Sequence, residues 1–156
     1  MNPTPLPLVL DTDESIGPLP HEDRVFLPQA WREAFRFGCS HGTYRDCIGQ
    51  LEEKMPAFDQ HGTVFFGSGD FHHLSLALIE RCLQARHTDK LTVVVLDNHP
   101  DNMRFPWGIH CGSWVSRAAQ LPGVEHVHVI GVTSGDLSLS HAWEHRLSAL
   151  RAGKLT

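Results

Sequence analysis

Apolar residues occur along this chain in short runs that alternate with longer amphipathic segments. The short runs are rich in β-branched and aromatic residues and predict strands at Leu8–Leu10, Thr63–Phe66, Val93–Leu96 and Val124–Val132. The amphipathic segments predict helices over Gln29–Arg36, Thr43–Met55, Leu74 to about His87, Ser113–Gln120 and Leu137–Ala152. This alternation predicts an α/β fold of three layers, in which a mostly parallel sheet carries helices on both faces.

The run Val93–Leu96 predicts the central strand, and because its apolar residues do not alternate with polar ones we expect both faces to be buried. Asp97, His99 and Asp101 follow it, at the kind of strand exit where α/β sheets bind ligands. Alternate residues of an extended segment point the same way, so these side chains could converge on one metal ion. Their mixed donors suit Mn²⁺, Zn²⁺ or Fe²⁺. The alternative is a simple turn, because Asp, Asn and Pro are common turn residues.

Three other loops carry candidate chemistry. Asp11 and Asp13 follow the first strand, and we interpret them as a solvated turn that remains a reserve source of metal ligands. The segment Gly67–His73 could bind a phosphate at a helix start, although it matches neither the dinucleotide fingerprint nor the P-loop. His110 could act as a general acid or base over the metal site, and a nucleophilic pair with Cys111 is the weaker alternative.

Length, composition and charge narrow the class of protein. The 156 residues, 41% of them apolar, are enough for a single domain with a hydrophobic core. A formal charge of −5 argues against a nucleic-acid partner, and no apolar run is long enough for a membrane span. Because there is no signal-peptide pattern and the four cysteines form no C-x-x-C pair, we expect a cytoplasmic protein with reduced thiols.

Three motifs together resemble those of the ureohydrolase family, which includes arginase, agmatinase and formiminoglutamase. Gly69-Asp70-Phe71-His72 is similar to the family's Gly-Gly-Asp-His turn, with one residue inserted. Asp97-Asn98-His99-Pro100-Asp101 is similar to its Asp-Ala-His-x-Asp motif, and His110-Cys111-Gly112 to its His-Gly loop. The order and spacing also match, and the likeness covers roughly residues 60–132. The resemblance implies an arginase/deacetylase-like fold.

The resemblance also implies a binuclear Mn²⁺ centre. Its ligands would be His72, Asp97, His99 and Asp101, with His73 as the alternative to His72. His110 would match the family histidine proposed as a proton shuttle. Zn²⁺ or Fe²⁺ would also suit these donors.

The chain departs from the family in its second half, where family members carry a further Asp-x-Asp pair. No aspartate follows Asp136 here, so we expect one arginase-like domain over residues 1–156 that is incomplete relative to the family. Asp11, Asp13 or a second subunit are the visible substitutes for the missing ligands. A truncated parallel sheet would also leave an exposed apolar edge, which favours a homo-oligomer.

The function expected from these residues is hydrolysis of linear C–N bonds in a small guanidino or amide substrate by a metal-activated water. The alternative is a non-catalytic metal-binding pseudoenzyme or a fragment of a longer ureohydrolase-like protein. A nucleotide-binding domain is a third possibility, which depends on the Gly67-Ser68-Gly69 turn alone.

Overall fold

A computed structural model describes residues 5–86, 90–137 and 145–156, which form an alternating series of strands and helices. The strands are β1 (Leu6–Asp11), β2 (Asp23–Phe26), β3 (Gly38–Ser40), β4 (His61–Phe66), β5 (Leu91–Leu96), β6 (Gly108–His110) and β7 (Val124–Ile130). The helices are α1 (Gln29–Phe35), α2 (His41–Lys54), α3 (Leu74–Arg86), α4 (Trp114–Ala118) and α5 (Leu147–Arg151). The mixed α/β class predicted from the sequence is therefore confirmed.

Within the described part of the chain, the strands form three small sheets rather than one. The first has the order β2-β1-β4 and is parallel, and the second pairs β5 with β7, also in parallel. The third pairs β3 with β6 in antiparallel fashion. Parallel pairing thus predominates as expected, whereas the antiparallel pair was not predicted because both of its strands have only three residues.

The hydrophobic core is built around β1. Leu8, Val9 and Leu10 have no solvent exposure, and strands pair with β1 on both sides. Leu8 and Leu10 belong to the hydrophobic core cluster. The prediction that β5 is buried on both faces is wrong: Val95 is buried, but Val94 is 58% and Leu96 79% exposed. The inner and outer positions of β5 alternate, and no described element covers the outer face.

The helices largely follow the predicted pattern, with changes at their ends. Helix α2 begins at His41 because the side chain of Ser40, not of Thr43, caps it by accepting a hydrogen bond from the Thr43 amide at 3.1 Å. The predicted helix over 137–152 is only partly correct. Its described portion is helical at 147–151, whereas His145 lies in an extended bridge with Met103, and 138–144 lie outside the described residues. No described helix is long and apolar enough to cross a membrane.

The segment predicted as a loop after β5 contains β6, and this strand fixes the position of His110. Gly108 lies so close to β3 that an added Cβ would come within 1.8 Å of the Cys39 carbonyl oxygen, so only glycine fits there. His110 is the register partner of Gly38, and the Cys111 amide donates to the Phe37 carbonyl at 2.8 Å. The short sheet therefore holds the His110 loop against the rest of the domain.

Candidate metal centre

Two strand exits supply the polar residues of the candidate site. After β4, a 3₁₀ turn over Gly69–Phe71 leads to His72, two residues before the start of α3. After β5, the Asp97 amide still donates to the Ile130 carbonyl of β7 at 3.1 Å, so the chain leaves the sheet at this residue. Asp101 adopts a positive φ of 43°, an uncommon conformation that Asp tolerates better than most residues. That turn brings Asp101 back towards Asp97.

His72, Asp97 and Asp101 form a compact group of metal-binding side chains. The His72 Nδ1 atom lies 3.2 Å from Asp97 Oδ2 and 3.2 Å from Asp101 Oδ2. One ligand atom from each residue lies within 4.8 Å of the others. Ligand atoms about 2.1 Å from one ion are about 3 Å apart when they are neighbours in its coordination sphere. The spacing and the mixed donors therefore fit one divalent ion.

Trp114 contacts two residues of this group and holds one of them in place. Its Nε1 atom donates to Asp101 Oδ2 at 2.7 Å, and its ring lies 5.1 Å from the ring of His72. Trp114 is buried at the start of α4, so the hydrogen bond holds the carboxylate in a fixed orientation. Outer partners of this kind orient ligands at metal sites.

The two carboxylates of the group favour a positive charge beside them, either a proton on His72 or a metal ion. A hydrogen bond to Asp101, together with the negative charges of Asp101 and Asp97, raises the pKa of His72 above its usual value, although burial opposes the shift. A proton and a metal ion compete for the same nitrogen in such a cluster. Within the described chain, neither Asp97 nor Asp101 pairs with a Lys or Arg side chain.

His73, the sequence-based alternative to His72, lies elsewhere. Its ring has no solvent exposure and stacks on Phe35, with a centroid distance of 4.4 Å. Burial lowers the pKa of His73 to about 4, so the ring is a neutral part of the core. Of the two neighbouring histidines, His72 is the one brought together with the carboxylates.

His99 lies at the edge of the site. Its amide donates to Asp97 Oδ1 at 3.0 Å, which is the hydrogen bond of an Asx turn. Its side chain is half exposed, and the Nδ1 atom is 3.6 Å from the same Asp97 oxygen. The turn interpretation of this motif and the metal interpretation are therefore compatible, but His99 is not part of the compact three-residue group.

His110 lines the same cavity as the metal-binding group. Its Nδ1 atom accepts a hydrogen bond from the Gly112 amide at 3.1 Å, so a neutral ring carries its proton on Nε2. The Cys111 Sγ atom is 3.6 Å from Nδ1, but burial raises the pKa of this thiol. A thiol with a raised pKa is a poor nucleophile, which argues against the Cys-His pair.

The cavity has a volume of about 560 Å³. Its described lining residues are Gly69, His72, Asp97, Asn98, His99, Pro100, Asp101, Met103, His110, Cys111, Gly112, Asp136 and His145. Sequence reasoning missed Asp136 and His145, because both fall in or beside a segment predicted as one helix. Their residue types, a carboxylate and an imidazole, were the only indication that Asp136 and His145 could line a site. Many other residues of this chain have the same types, so this indication did not single them out.

The two carboxylates at the end of β1, Asp11 and Asp13, lie outside the candidate metal site and make contacts within the fold instead. Asp11 Oδ2 forms an ion pair with Arg24 at 2.9 Å, and Asp13 Oδ2 accepts a hydrogen bond from the Ser68 amide at 3.0 Å. Neither residue lines the cavity. Gly67 lies against this turn, where an added Cβ would come within 1.9 Å of the Thr12 hydroxyl oxygen. Close packing therefore explains this glycine without a phosphate ligand.

Comparisons with known proteins give one relative. The chain is similar to an uncharacterized protein of Thermotoga maritima, with 33% identity over 86 residues. The match covers 52% of this chain and 33% of the relative, so the chain spans about a third of that protein's length. No protein-family model matches the chain, and no solved structure is significantly similar to it. Because the relative's name states no ligand or activity, function must be inferred from the site itself.

Proposed function

We propose that the chain carries the metal centre of a hydrolase that cleaves linear C–N bonds in a small guanidino or amide substrate. The observation that carries this proposal is the compact group of His72, Asp97 and Asp101, which shares one cavity with His110. The similarity of these motifs to ureohydrolases supplies the reaction class. It also leads us to propose that the small parallel sheets belong to a three-layer, arginase-like arrangement.

In this proposal His72, Asp97 and Asp101 would hold a divalent ion, and His99, at the edge of the cavity, would be the candidate for a further ligand. When bound, the ion supplies Lewis acidity and lowers the pKa of water towards neutrality. Trp114 keeps the Asp101 carboxylate oriented through its 2.7 Å hydrogen bond. His110 transfers a proton to the leaving amine from Nε2, because its Nδ1 atom is engaged by the Gly112 amide.

Manganese is the metal we propose, on the strength of the family resemblance, since the nitrogen and oxygen donors also suit Zn²⁺ and Fe²⁺. We also propose that the protein is a cytoplasmic homo-oligomer. The four cysteines are all free, which is typical of a reducing compartment. The exposed apolar residues Val94, Leu96 and Ile130 would be covered by self-association.

A non-catalytic metal-binding protein is the second candidate, and the ligand count favours it. The described residues bring together one group of three ligands, whereas a two-metal hydrolase needs more. Asp11 is already paired with Arg24, so it is poorly suited to complete such a centre.

The first experiment is to measure the metal content of the protein by elemental analysis after loading with manganese and desalting. Two ions per chain would support the hydrolase, and guanidino and amide substrates would then be screened for release of amine or urea. One ion per chain would favour the non-catalytic candidate, and no bound ion would overturn the metal centre itself.

Two variants and a control locate the bound metal. We expect Asp97→Asn to lose metal, His110→Ala to keep metal but lose hydrolysis, and Asp13→Asn to change neither. Full metal occupancy in Asp97→Asn would contradict the assignment of the ligands.

A further inference from the structure

A second cavity lies beside that of the metal centre, and its lining is basic. It has a volume of about 490 Å³ and is lined by Arg104, Phe105, Pro106, Arg146, Ser148 and Arg151. None of these residues lines the cavity of the metal centre. In the described part of the chain, none of the three arginines forms an ion pair with a carboxylate. This arginine-lined cavity therefore concentrates positive charge in a chain whose formal charge is −5.

The arginine-lined cavity and the metal centre are separated by two paired segments. Met103 and His145 form an antiparallel bridge, and both line the cavity of the metal centre. The next residue along each segment, Arg104 or Arg146, lines the arginine-lined cavity instead. The two cavities are therefore neighbours of different charge, with carboxylates in the first and guanidinium groups in the second.

Neutral acceptors hold two of the guanidinium groups in place. Arg104 Nε donates to the His145 carbonyl at 2.9 Å, and Arg146 Nη1 donates to Gln120 Oε1 at 2.7 Å. A carbonyl or amide oxygen orients a guanidinium group but does not cancel its charge. Each group keeps further N–H donors, because a guanidinium group carries five. Both groups are thus oriented in advance for an anion, which reduces the entropy lost when one binds.

A fourth arginine adds to the crowding of positive charge. Arg117 is on α4, and its Nη2 atom donates to the Phe105 carbonyl at 2.8 Å. Burial, and then the charge of Arg146, lower the pKa of Arg117. Like charges that interact in this way destabilise each other, and a bound anion would relieve the repulsion.

We propose that the arginine-lined cavity binds a phosphate group, either as free phosphate or as part of a small organic phosphate. A guanidinium group offers two parallel N–H donors that match two phosphate oxygens, and three such groups suit a doubly charged anion better than a single carboxylate. The Ser148 hydroxyl is a further donor, and Phe105 and Pro106 give the cavity an apolar wall. The volume lies within the range of small-molecule sites, roughly 300–1,000 Å³. The inference goes beyond the proposed function and does not depend on it.

The test compares anions of different charge and shape on the full chain. Metal is first removed with a chelating resin, because an ion in the neighbouring cavity would itself bind phosphate. Inorganic phosphate, phenyl phosphate and acetate are then titrated at constant ionic strength and about pH 7.5, where the phosphates are mostly dianions. Binding is followed by the nuclear magnetic resonance shifts of the Arg104 and Arg146 amides. We expect inorganic phosphate to bind at least about tenfold more tightly than acetate. Equal affinities, or no phosphate binding, would overturn the proposal.

Phenyl phosphate distinguishes the two sources of the phosphate group. Tighter binding than that of inorganic phosphate would assign the cavity to an organic phosphate whose apolar part contacts Phe105 and Pro106. Equal or weaker binding would assign it to free phosphate. Either outcome supports a phosphate site.

Variants assign the binding to particular side chains. Arg146→Gln should weaken phosphate binding about tenfold, through loss of a hydrogen bond from a charged donor, and Arg146→Lys should weaken it less, because lysine keeps the charge but not the parallel donors. Arg151→Gln should also weaken binding, and since Arg151 is exposed, this variant decides the matter if Arg146→Gln does not fold. Arg45→Gln is the matched control, because Arg45 is exposed outside the cavity and its loss changes the net charge equally. Unchanged phosphate affinity in Arg146→Gln or Arg151→Gln, or an equal loss in Arg45→Gln, would overturn the site.

Asp97→Asn separates this proposal from the metal centre. Asp97 lines the neighbouring cavity, so its variant should bind phosphate within about twofold of wild type. Loss of phosphate binding in this variant would contradict the assignment to the arginine-lined cavity. A protein that binds phosphate through Arg146 but takes up no metal would retain this site and lose the proposed hydrolase. A protein that binds manganese but no phosphate would do the reverse.

Discussion

The ends of β1 and β5 are similar in sequence, but their carboxylates make different kinds of contact in the structure. Both strands are apolar runs followed by two aspartates. Asp11 is the last residue of β1 and Asp13 comes just after it, whereas Asp97 and Asp101 both follow β5. The first pair is neutralised or capped by the domain itself, since Arg24 pairs with Asp11 and the Ser68 amide donates to Asp13. The second pair faces a histidine and a tryptophan instead. Carboxylates that have no Lys or Arg partner among the described residues remain available to a metal ion, which can replace the proton on His72, whereas the carboxylate paired with Arg24 stabilises the fold.

The same two strands differ in burial. In β1 the residues Leu8, Val9 and Leu10 have no solvent exposure, and strands pair on both sides. In β5 the outer residues Val94 and Leu96 are largely exposed. The strand at the centre of the fold is therefore β1, while the strand with the richest chemistry lies at a sheet edge, where β7 is its one described partner.

The largest effect on stability should come from Leu10→Ala. Leu10 is fully buried, so the cavity and lost burial should reduce the free energy of unfolding by about 3 kcal/mol. Leu96→Ala is the matched control on β5. While the chain is a monomer, this variant should change the free energy of unfolding by less than about 0.5 kcal/mol, because Leu96 is then exposed. Urea denaturation measures both. Equal losses would mean that β5 is covered, for instance by a second copy of the chain.

The largest effect on the site should come from Asp101→Asn. The amide keeps an oxygen for the Trp114 hydrogen bond and tolerates the positive φ of 43°, so the fold should survive. Metal affinity should fall at least about 100-fold, since loss of a ligand exceeds the 10- to 100-fold cost of losing an outer-shell partner. Calorimetric titration with Mn²⁺ tests this, and an affinity within twofold of wild type would exclude Asp101 as a ligand.

Asp11→Asn should show the opposite pattern to Asp101→Asn, with lower stability of the fold and no change in metal affinity. Removing this charge takes away one ion pair of Arg24, which keeps its second partner Glu22 at 2.6 Å. We therefore expect a loss of about 1–2 kcal/mol in the free energy of unfolding, with Mn²⁺ affinity unchanged. Thermal denaturation and the same calorimetric titration provide the two measurements. Loss of metal in this variant would show that the carboxylates at the ends of β1 and β5 belong to one metal site. The assignment of Asp11 to the fold alone would then be wrong.

A feature of this molecule could be predicted from the sequence when it depends on residues that are close together along the chain. The strands β1, β4, β5 and β7 follow from local apolar runs, and the pairing of parallel strands follows from the helices between them. The polar residues at the strand exits are equally local, which is why Asp97, His99 and Asp101 could be named from the sequence pattern. The choice of His72 over His73 came from the resemblance to the ureohydrolase family. Nothing local distinguishes Asp97 from Asp11, because the difference is the long-range contact of Asp11 with Arg24.

Features that depend on distant contacts were missed for the same reason. The pairing of β3 with β6 joins segments about seventy residues apart, and each is too short to show a periodic pattern. His145 reaches the cavity through its bridge to Met103, although its sequence neighbourhood has helical periodicity. The apolar run of β5 predicted burial on both faces, but the composition of a strand does not reveal whether anything lies on its second face.

The smallest expected effect is that of Asp13→Asn, and its pH dependence identifies the role of this carboxylate. Burial of Asp13 acts to raise its pKa, but hydrogen bonds from Ser15 and Ser68 outweigh it and lower the pKa from 3.8 to about 2. The ionised form is therefore favoured by folding, so its contribution to stability is present above pH 3.8 and is lost as the pH falls towards 2. Because the residue is largely solvated, we expect wild type to exceed Asp13→Asn by less than about 1 kcal/mol at pH 7. Urea denaturation should show this difference shrinking below pH 4. A difference independent of pH would mean that the charge of Asp13 plays no part, and that the exit of β1 is held by its hydrogen bonds alone.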